Sequence, residues 1–279
     1  MRHRPAAHLA LALALGPAPM LVLPPVAEAA TAPPVVDPPD RPATHDRPAT
    51  HDRTPDHDLR WAVEGLLELA GDPFVGLGSL EPTALERTEP ERLYALVTRE
   101  RAVRPTRYAP DDLVELPGGL YRAREEVTVQ LVALIDAAER EGHRLTVTSG
   151  FRDHDTQAGT HEDWVRRVGR AQADRVSARP GHSEHQLGLA VDLAGRCSYA
   201  CFGDTPEGRW VAAHAHRWGF IVRYPEGARD VTGYAAEPWH LRYVGPRAAW
   251  AMHLREPVLW DDFAPLVLER ARRSDGGTG

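Results

Sequence analysis

The sequence predicts an α+β fold, a small and largely antiparallel sheet with helices packed on it. Two observations predict it. Helical and extended stretches come mixed, without the regular strand–helix–strand alternation that builds a parallel sheet. The strongest helical pattern, Arg122 to Glu141, stands between short extended runs, with Val127, Leu131, Leu134 and Ile135 on one stripe at i, i+4, i+7 and i+8.

The first 58 residues carry no core pattern. Arg2 and Arg4 precede an apolar run from Leu9 to Leu15, a proline-broken extension to Leu23 and the A-x-A site Ala27-Glu28-Ala29. Residues 1–29 therefore read as a secretory signal peptide. The run is too short, and too interrupted by Gly16, Pro17 and Pro19, to span a bilayer comfortably, and an uncleaved N-terminal anchor is the alternative. With no cysteine near the cleavage region, a lipoprotein anchor is not expected. In residues 30–58, Asp40-Arg41-Pro42-Ala43-Thr44-His45 repeats as Asp46 to His51 and decays in Asp52 to His57. So much proline and charge cannot offset its ordering entropy, which predicts a disordered tether. His45, His51 and His57 are read as copies of the expanded unit, against a metal-storing alternative.

Residues 59–91 read as an N-terminal helical extension, with helical spacing from Leu59 to Leu69 and turns from Gly71 to Glu91. The main domain is expected over 92–255. It begins with a helix from Glu91 to Glu100 and a loop from Tyr108 to Leu113. The helix Arg122 to Glu141 is closed by Gly142, and Leu145 to Thr148 alternates as a strand ending at Ser149-Gly150. Thr156 to Ala178 reads as a polar helix with Trp164, Val165 and Val168 inward. Leu189 to Leu193 and Phe220 to Tyr224 read as strands, and Trp210 to Trp218 as a helix. Pro238 disfavours the α conformation at Glu237, so Trp239 to Val244 reads as a strand. A C-terminal helix and flexible tail are expected over 256–279.

The chain has 33 basic residues, all arginine, against 40 acidic ones, a net charge of −7. An acidic chain without a basic stripe argues against nucleic acid as a partner. Nothing after residue 30 is long and apolar enough to cross a membrane, and a monomer is expected. In an exported protein, Cys197 and Cys201 are expected to form a small disulfide, since residues four apart in a helical turn meet the Cα spacing of a bridge. Zinc ligation by that pair is the weaker alternative.

Chemistry concentrates in two segments. Ser183-Glu184-His185-Gln186-Leu187-Gly188-Leu189-Ala190-Val191-Asp192 is followed 45 residues later by Glu237-Pro238-Trp239-His240. Together they supply two imidazoles, a carboxylate and a further glutamate, the inventory of a catalytic zinc site with an open position for water. Gly188 lets the chain turn sharply, so that His185 folds back beside Asp192 on its strand, and His240 is the third ligand. Glu237 is the expected general base, with an outer partner orienting His240 as the alternative. Arg152, after a strand and a glycine, can face a cleft and compensate an oxyanion or grip a terminal carboxylate. His214 and His216, two apart on a helix, cannot share a face and are read as structural. His182 is read either as structural or as an outer partner of the site.

The forms S-x-H-x-x-G-x-A-x-D and E-x-x-H, with Ser149-Gly150-Phe151-Arg152 and Gln157 upstream, resemble the VanY-type zinc D,D-carboxypeptidases that trim peptidoglycan stem peptides. The resemblance covers roughly residues 92–255 and implies a zinc D,D-peptidase (Hedgehog-like) type of fold. It implies one Zn2+ per chain on His185, Asp192 and His240, with Glu237 as base and Arg152 against the substrate. Gln157 and Ser183 match family positions that line the substrate pocket. The implied activity is removal of the C-terminal D-alanine from a stem peptide by a secreted, wall-associated enzyme. The alternatives are an L,D-carboxypeptidase, an endopeptidase on the same polymer, or a non-catalytic zinc module that binds wall peptides. Asp153-His154-Asp155 departs from the family pattern and puts extra charge near the expected pocket.

Overall fold

The structure, a computed structural model, describes residues 81–255 and 257–275. The signal peptide, the tether and the Leu59 to Leu69 helix lie outside the described residues. Helix α1 (Ala84–Thr88) opens with a capping box in which Thr83 and Glu86 exchange hydrogen bonds, and α2 (Pro90–Leu93) follows. The expected helix to Glu100 ends at Leu93, and Tyr94, Val97 and Val103 enter the core from irregular chain.

Strands β1 (Leu113–Glu115) and β2 (Arg122–Arg124) form an antiparallel ribbon, so the first three residues of the expected helix are strand. Helix α3 (Glu125–Arg140) then buries Val127, Leu131 and Leu134, as its stripe predicts. Glu126 in its first turn accepts from the Leu85 amide at 3.0 Å and the Tyr243 hydroxyl at 2.6 Å, tying the helix to α1 and to a residue 117 positions further along the chain.

Strand β3 (Thr146–Ser149) leads to α4 (His154–Val168) and α5 (Arg170–Val176). The single polar helix expected here is broken at Gly169, whose φ of 78° belongs to the left-handed region. Its inward face is also different. Gln157 and His161 are buried and Val168 is exposed, because His161 Nε2 pairs with Asp174 Oδ1 at 2.8 Å and locks α4 to α5.

Strand β4 (Ala190–Ala194), helix α6 (Pro206–His214), strand β5 (Phe220–Tyr224), the turn α7 (Arg229–Thr232) and strand β6 (Glu237–Tyr243) complete the sheet. The helix expected to reach Trp218 ends at His214 and tightens into a 3₁₀ turn over Ala215–Trp218. The sheet order is β3-β4-β6-β5, every pair antiparallel. Its two faces differ in kind. Val191, Leu193, Leu241, Tyr243 and Phe220 are buried in the apolar core, whereas Asp192, His240, Arg242 and Arg223 alternate onto the other side. Helix α8 (Pro246–His253) and helix α9 (Trp260–Asp275) follow, and Leu85, Trp260, Phe263 and Val267 join the same core. Among the described residues no helix is long and apolar enough to cross a membrane.

His216 is buried beneath the stacked ring of His253, with centroids 3.7 Å apart, and meets the edge of Trp250. Burial, then the charges of His253, Arg217 and His214, lowers its pKa from 6.5 to about 4. The unfolded chain binds this proton below 6.5 and the folded chain does not until about 4, so stability falls as pH drops through that window. In His216→Leu the decline of Tm between those pH values is expected to be shallower than in wild type. Parallel Tm–pH curves would remove His216 from the acid response.

Candidate metal centre

The sheet register builds the site. Asp192 on β4 lies directly opposite His240 on β6, and Ser149 at the end of β3 lies opposite Asp192 on the other side. Cross-strand neighbours project to one face, so the carboxylate and imidazole meet: Asp192 Oδ1 is 3.0 Å from His240 Nδ1. His185 arrives from a 3₁₀ turn (Glu184–Leu187) closed by Gly188 in the left-handed conformation, φ 67°. A Cβ at Gly188 would lie 2.9 Å from Arg124 Cγ, so both the turn and the packing require glycine.

Each ring has a defined outer side. His185 Nδ1 donates to the Gly150 carbonyl at 2.7 Å, which fixes the proton there and leaves the lone pair of Nε2 facing Asp192 Oδ2 at 3.4 Å. Burial, helped by Arg152 and His240 and opposed by Asp192, lowers the His185 pKa and favours the neutral ring that a metal needs. Burial would raise the Asp192 carboxyl, yet His185 and His240 hold it far below the usual carboxylate range. Burial opposes charge on His240 too, but Asp192 and Glu184 raise its pKa to about 9. The ligating atoms of His185, Asp192 and His240 lie within 4.8 Å of one another, all three residues buried. Two nitrogens and one oxygen at that separation fit a zinc ion with an open position.

Glu237 reaches the same face through a break in the ladder. Residues three apart on a regular strand point to opposite faces. Here Val222 pairs with Leu241 but Tyr224 pairs with Glu237, so β6 carries extra residues around Pro238, which cannot donate to the ladder. The bulge turns Glu237 Oε2 to within 4.0 Å of His240 Nδ1. Burial, reinforced by the charges of Asp192 and Glu184 against those of His240 and Arg152, raises its pKa to about 7. A carboxylate so perturbed is a competent proton acceptor near neutrality.

Arg152 is anchored by its backbone amide, which donates to the His185 carbonyl at 3.2 Å. Burial lowers its pKa while Asp192 and Glu237 support its charge, and a guanidinium stays cationic there. Its Nε is buried without a hydrogen-bond partner. Gln157 sits on α4 and donates to the Ala178 carbonyl at 2.5 Å, bracing the loop that runs to Ser183. Ser183 is buried immediately before the 3₁₀ turn. The charge of Asp153-His154-Asp155 has local partners: Asp153 caps α4 through the Thr156 amide at 2.7 Å, and Asp155 pairs with Arg107 and His154. His182 Nδ1 is 2.8 Å from the Thr98 carbonyl, and His214 Nδ1 is 2.8 Å from that of Trp210. Cys197 and Cys201 form a disulfide with Cα atoms 5.9 Å apart. Inside that loop Tyr199 packs edge-on against Trp239, ring centroids 5.8 Å apart, next to His240.

Four charged residues join the site that motif reasoning passed over. Glu184 accepts from Arg223 Nε at 2.9 Å and lies 3.1 Å from an Arg242 guanidinium nitrogen, while Arg223 also reaches Asp261 of α9 at 2.6 Å. The signal was an arginine at an inward position of each of two strands, the otherwise apolar Phe220–Tyr224 and the site strand Glu237–Tyr243, where a charge must find a buried partner.

The polar sheet face and the turn beside it bring two histidines and two carboxylates together in an arrangement that could hold a metal ion. The sequence model of the VanY family, D-alanyl-D-alanine carboxypeptidase, matches residues 121–246. A D-alanyl-D-alanine carboxypeptidase of Enterococcus faecalis is 35% identical over 170 residues, 58% of this chain and 62% of that protein. The solved LdcB LD-carboxypeptidase, whose structure is described as revealing the molecular basis of peptidoglycan recognition, superposes with a TM-score of 0.57 at 36% identity, covering 63% of this chain and 87% of that one. A mutant of the vancomycin resistance D,D-pentapeptidase VanY, solved in complex with Zn(II), gives 0.55 at 31% identity, covering 62% and 99%. The chain belongs to the VanY family of D-alanyl-D-alanine carboxypeptidases. It spans 63% and 62% of the first two curated relatives it matches.

Proposed function

We propose that this chain is an exported, wall-associated zinc metallopeptidase that removes the C-terminal D-alanine from peptidoglycan stem peptides, acting as a monomer with one zinc. The observation that carries this reading is the convergence of His185, Asp192 and His240 within 4.8 Å, with Glu237 beside them. Solved relatives support it, one a Zn(II) complex and one bound to D-alanine-D-alanine. The leader-like residues 1–29 support export.

Bound there, zinc would bring the pKa of a water toward neutrality and polarise the scissile carbonyl. Glu237 takes the attacking water's proton and returns it to the leaving amine nitrogen. Arg152 supplies the cation facing the substrate, either at the developing oxyanion or at the terminal carboxylate. Ser183 and Gln157 line and brace the peptide pocket, and the Cys197–Cys201 loop with Tyr199 forms its rim.

Incubation of the purified protein with defined pentapeptide and tetrapeptide stems, followed by weighing of the products, tests the reading. Release of one alanine from the pentapeptide alone is expected. Trimming of the tetrapeptide instead would assign the L,D reaction, which the similarity to LdcB makes the second reading. Binding of both peptides without any product would replace the enzyme with a wall-peptide-binding module.

A further inference from the structure

The position Glu184, between Ser183 and His185, has no part in the reaction described above, yet it is among the most enclosed charges in the molecule, 2% exposed. One of its oxygens is held by Arg223 at 2.9 Å and faces Arg242 at 3.1 Å. The other, Oε2, is buried without a hydrogen-bond partner and points at His240 Nε2, which is equally buried and unpartnered, 3.6 Å away. An acceptor and a ring nitrogen left unsatisfied face to face require an explanation.

The two sides of the His240 ring supply one. Nδ1 faces Asp192 and Glu237, the side on which a metal would sit. A neutral imidazole that gives the Nδ1 lone pair to a metal must carry its proton on Nε2. That proton then points at Glu184, and an approach of roughly half an ångström brings the pair into hydrogen-bonding range. Arg223 and Arg242 neutralise the carboxylate and fix its direction, and Asp261 grips Arg223 at 2.6 Å from the C-terminal helix α9. His185 has the Gly150 carbonyl in the corresponding role.

We propose that Glu184 is the positioning residue that sets the tautomer and orientation of His240 toward zinc, and that Asp261 steadies it through Arg223. This rests on the zinc reading of His185, Asp192 and His240. It also separates the two glutamates: Glu184 serves the outer nitrogen of His240, leaving Glu237 on the inner side for proton transfer.

The test measures zinc affinity of the full protein by competition with a chromophoric chelator, beside the melting temperature of the metal-free form and the visible spectrum of the cobalt-substituted form. Glu184→Gln keeps the shape and loses the charge. Glu184→Asp keeps the charge that compensates the arginines but withdraws it from His240, which makes it the decisive variant if Glu184→Gln fails to fold. Either variant is expected to bind zinc ~10–100-fold more weakly, the usual cost of removing an outer partner of a metal-bound histidine, with an altered cobalt spectrum. In Glu184→Asp the metal-free melting temperature should move little. Asp261→Asn should weaken zinc binding in the same direction and by less. Wild-type zinc affinity and cobalt spectrum in a folded Glu184→Asp would overturn the inference while leaving the zinc site intact. Failure of wild type itself to bind zinc would overturn both.

Discussion

Glu237→Gln is expected to keep its zinc, bind stem peptide as wild type does, and turn over about 10²–10⁴-fold more slowly, the range for loss of a general base. The amide preserves the size of the side chain, and burial already holds the carboxyl so high, at about 7, that its neutral form is readily accommodated. The fold therefore has little to lose, and the damage should fall on kcat with KM almost unchanged, which places the contribution in the transition state. The pH dependence follows with a definite sign. A base must be ionised to work, so wild-type kcat/KM should decline as pH falls through the Glu237 pKa. A bound dication would pull that value down, so the acid limb should lie at or below about 7. The limb should vanish from the residual activity of Glu237→Gln. A variant with near-native kcat and the same acid limb would remove Glu237 from proton transfer.

Arg152 offers a contrasting readout. If it grips a terminal carboxylate, Arg152→Ala raises KM and weakens selection for a free C-terminus. If it stabilises the oxyanion, kcat falls and KM holds.

How far the sequence reached depends on whether the determinant is local. Helix α3, strand β5 and the mixed α+β class were legible because period and turn residues lie within one short window. The break at Gly169 and the burial of His161 were not, because the reason is a partner on another helix, Asp174. In the site, His185, Asp192 and His240 were readable as a motif, yet the register that sets Asp192 against His240 comes only with the sheet. The bulge that brings Glu237 to the same face was half visible in Pro238. Glu184 was hidden because its meaning depends on Arg223, Arg242 and Asp261, which lie 39, 58 and 77 residues further along the chain. A motif names the residues that converge on the site and leaves unmarked those packed behind them.

His240→Ala and His185→Ala should each abolish zinc retention and, with it, hydrolysis, and chelation of the wild type should do the same reversibly. Loss of affinity should exceed the ~10–100-fold that removing an outer partner costs, because a coordinating atom itself is gone. The two variants should differ in the stability of the metal-free fold. In His185→Ala the ring that donates to Gly150 disappears, but the hydrogen bond between Asp192 and His240, 3.0 Å long, remains and keeps the buried carboxylate paired. In His240→Ala Asp192 loses its hydrogen-bond donor and keeps only the longer 3.4 Å approach of His185, while Glu184 loses the ring that faces it. The upper limit of the effect is about 3–5 kcal/mol, the cost of a buried charge left with no partner. Arg223 and Arg242 still compensate Glu184, so Asp192 bears most of the loss. Metal-free His240→Ala should accordingly melt below metal-free His185→Ala, and the gap should narrow at acid pH as Asp192, deprived of His240, becomes protonated. Metal analysis of dialysed protein and thermal melts in chelator decide the matter. Full zinc occupancy in either variant would break the ligand assignment, whereas equal melting temperatures would leave the ligands standing and refute the charge argument alone.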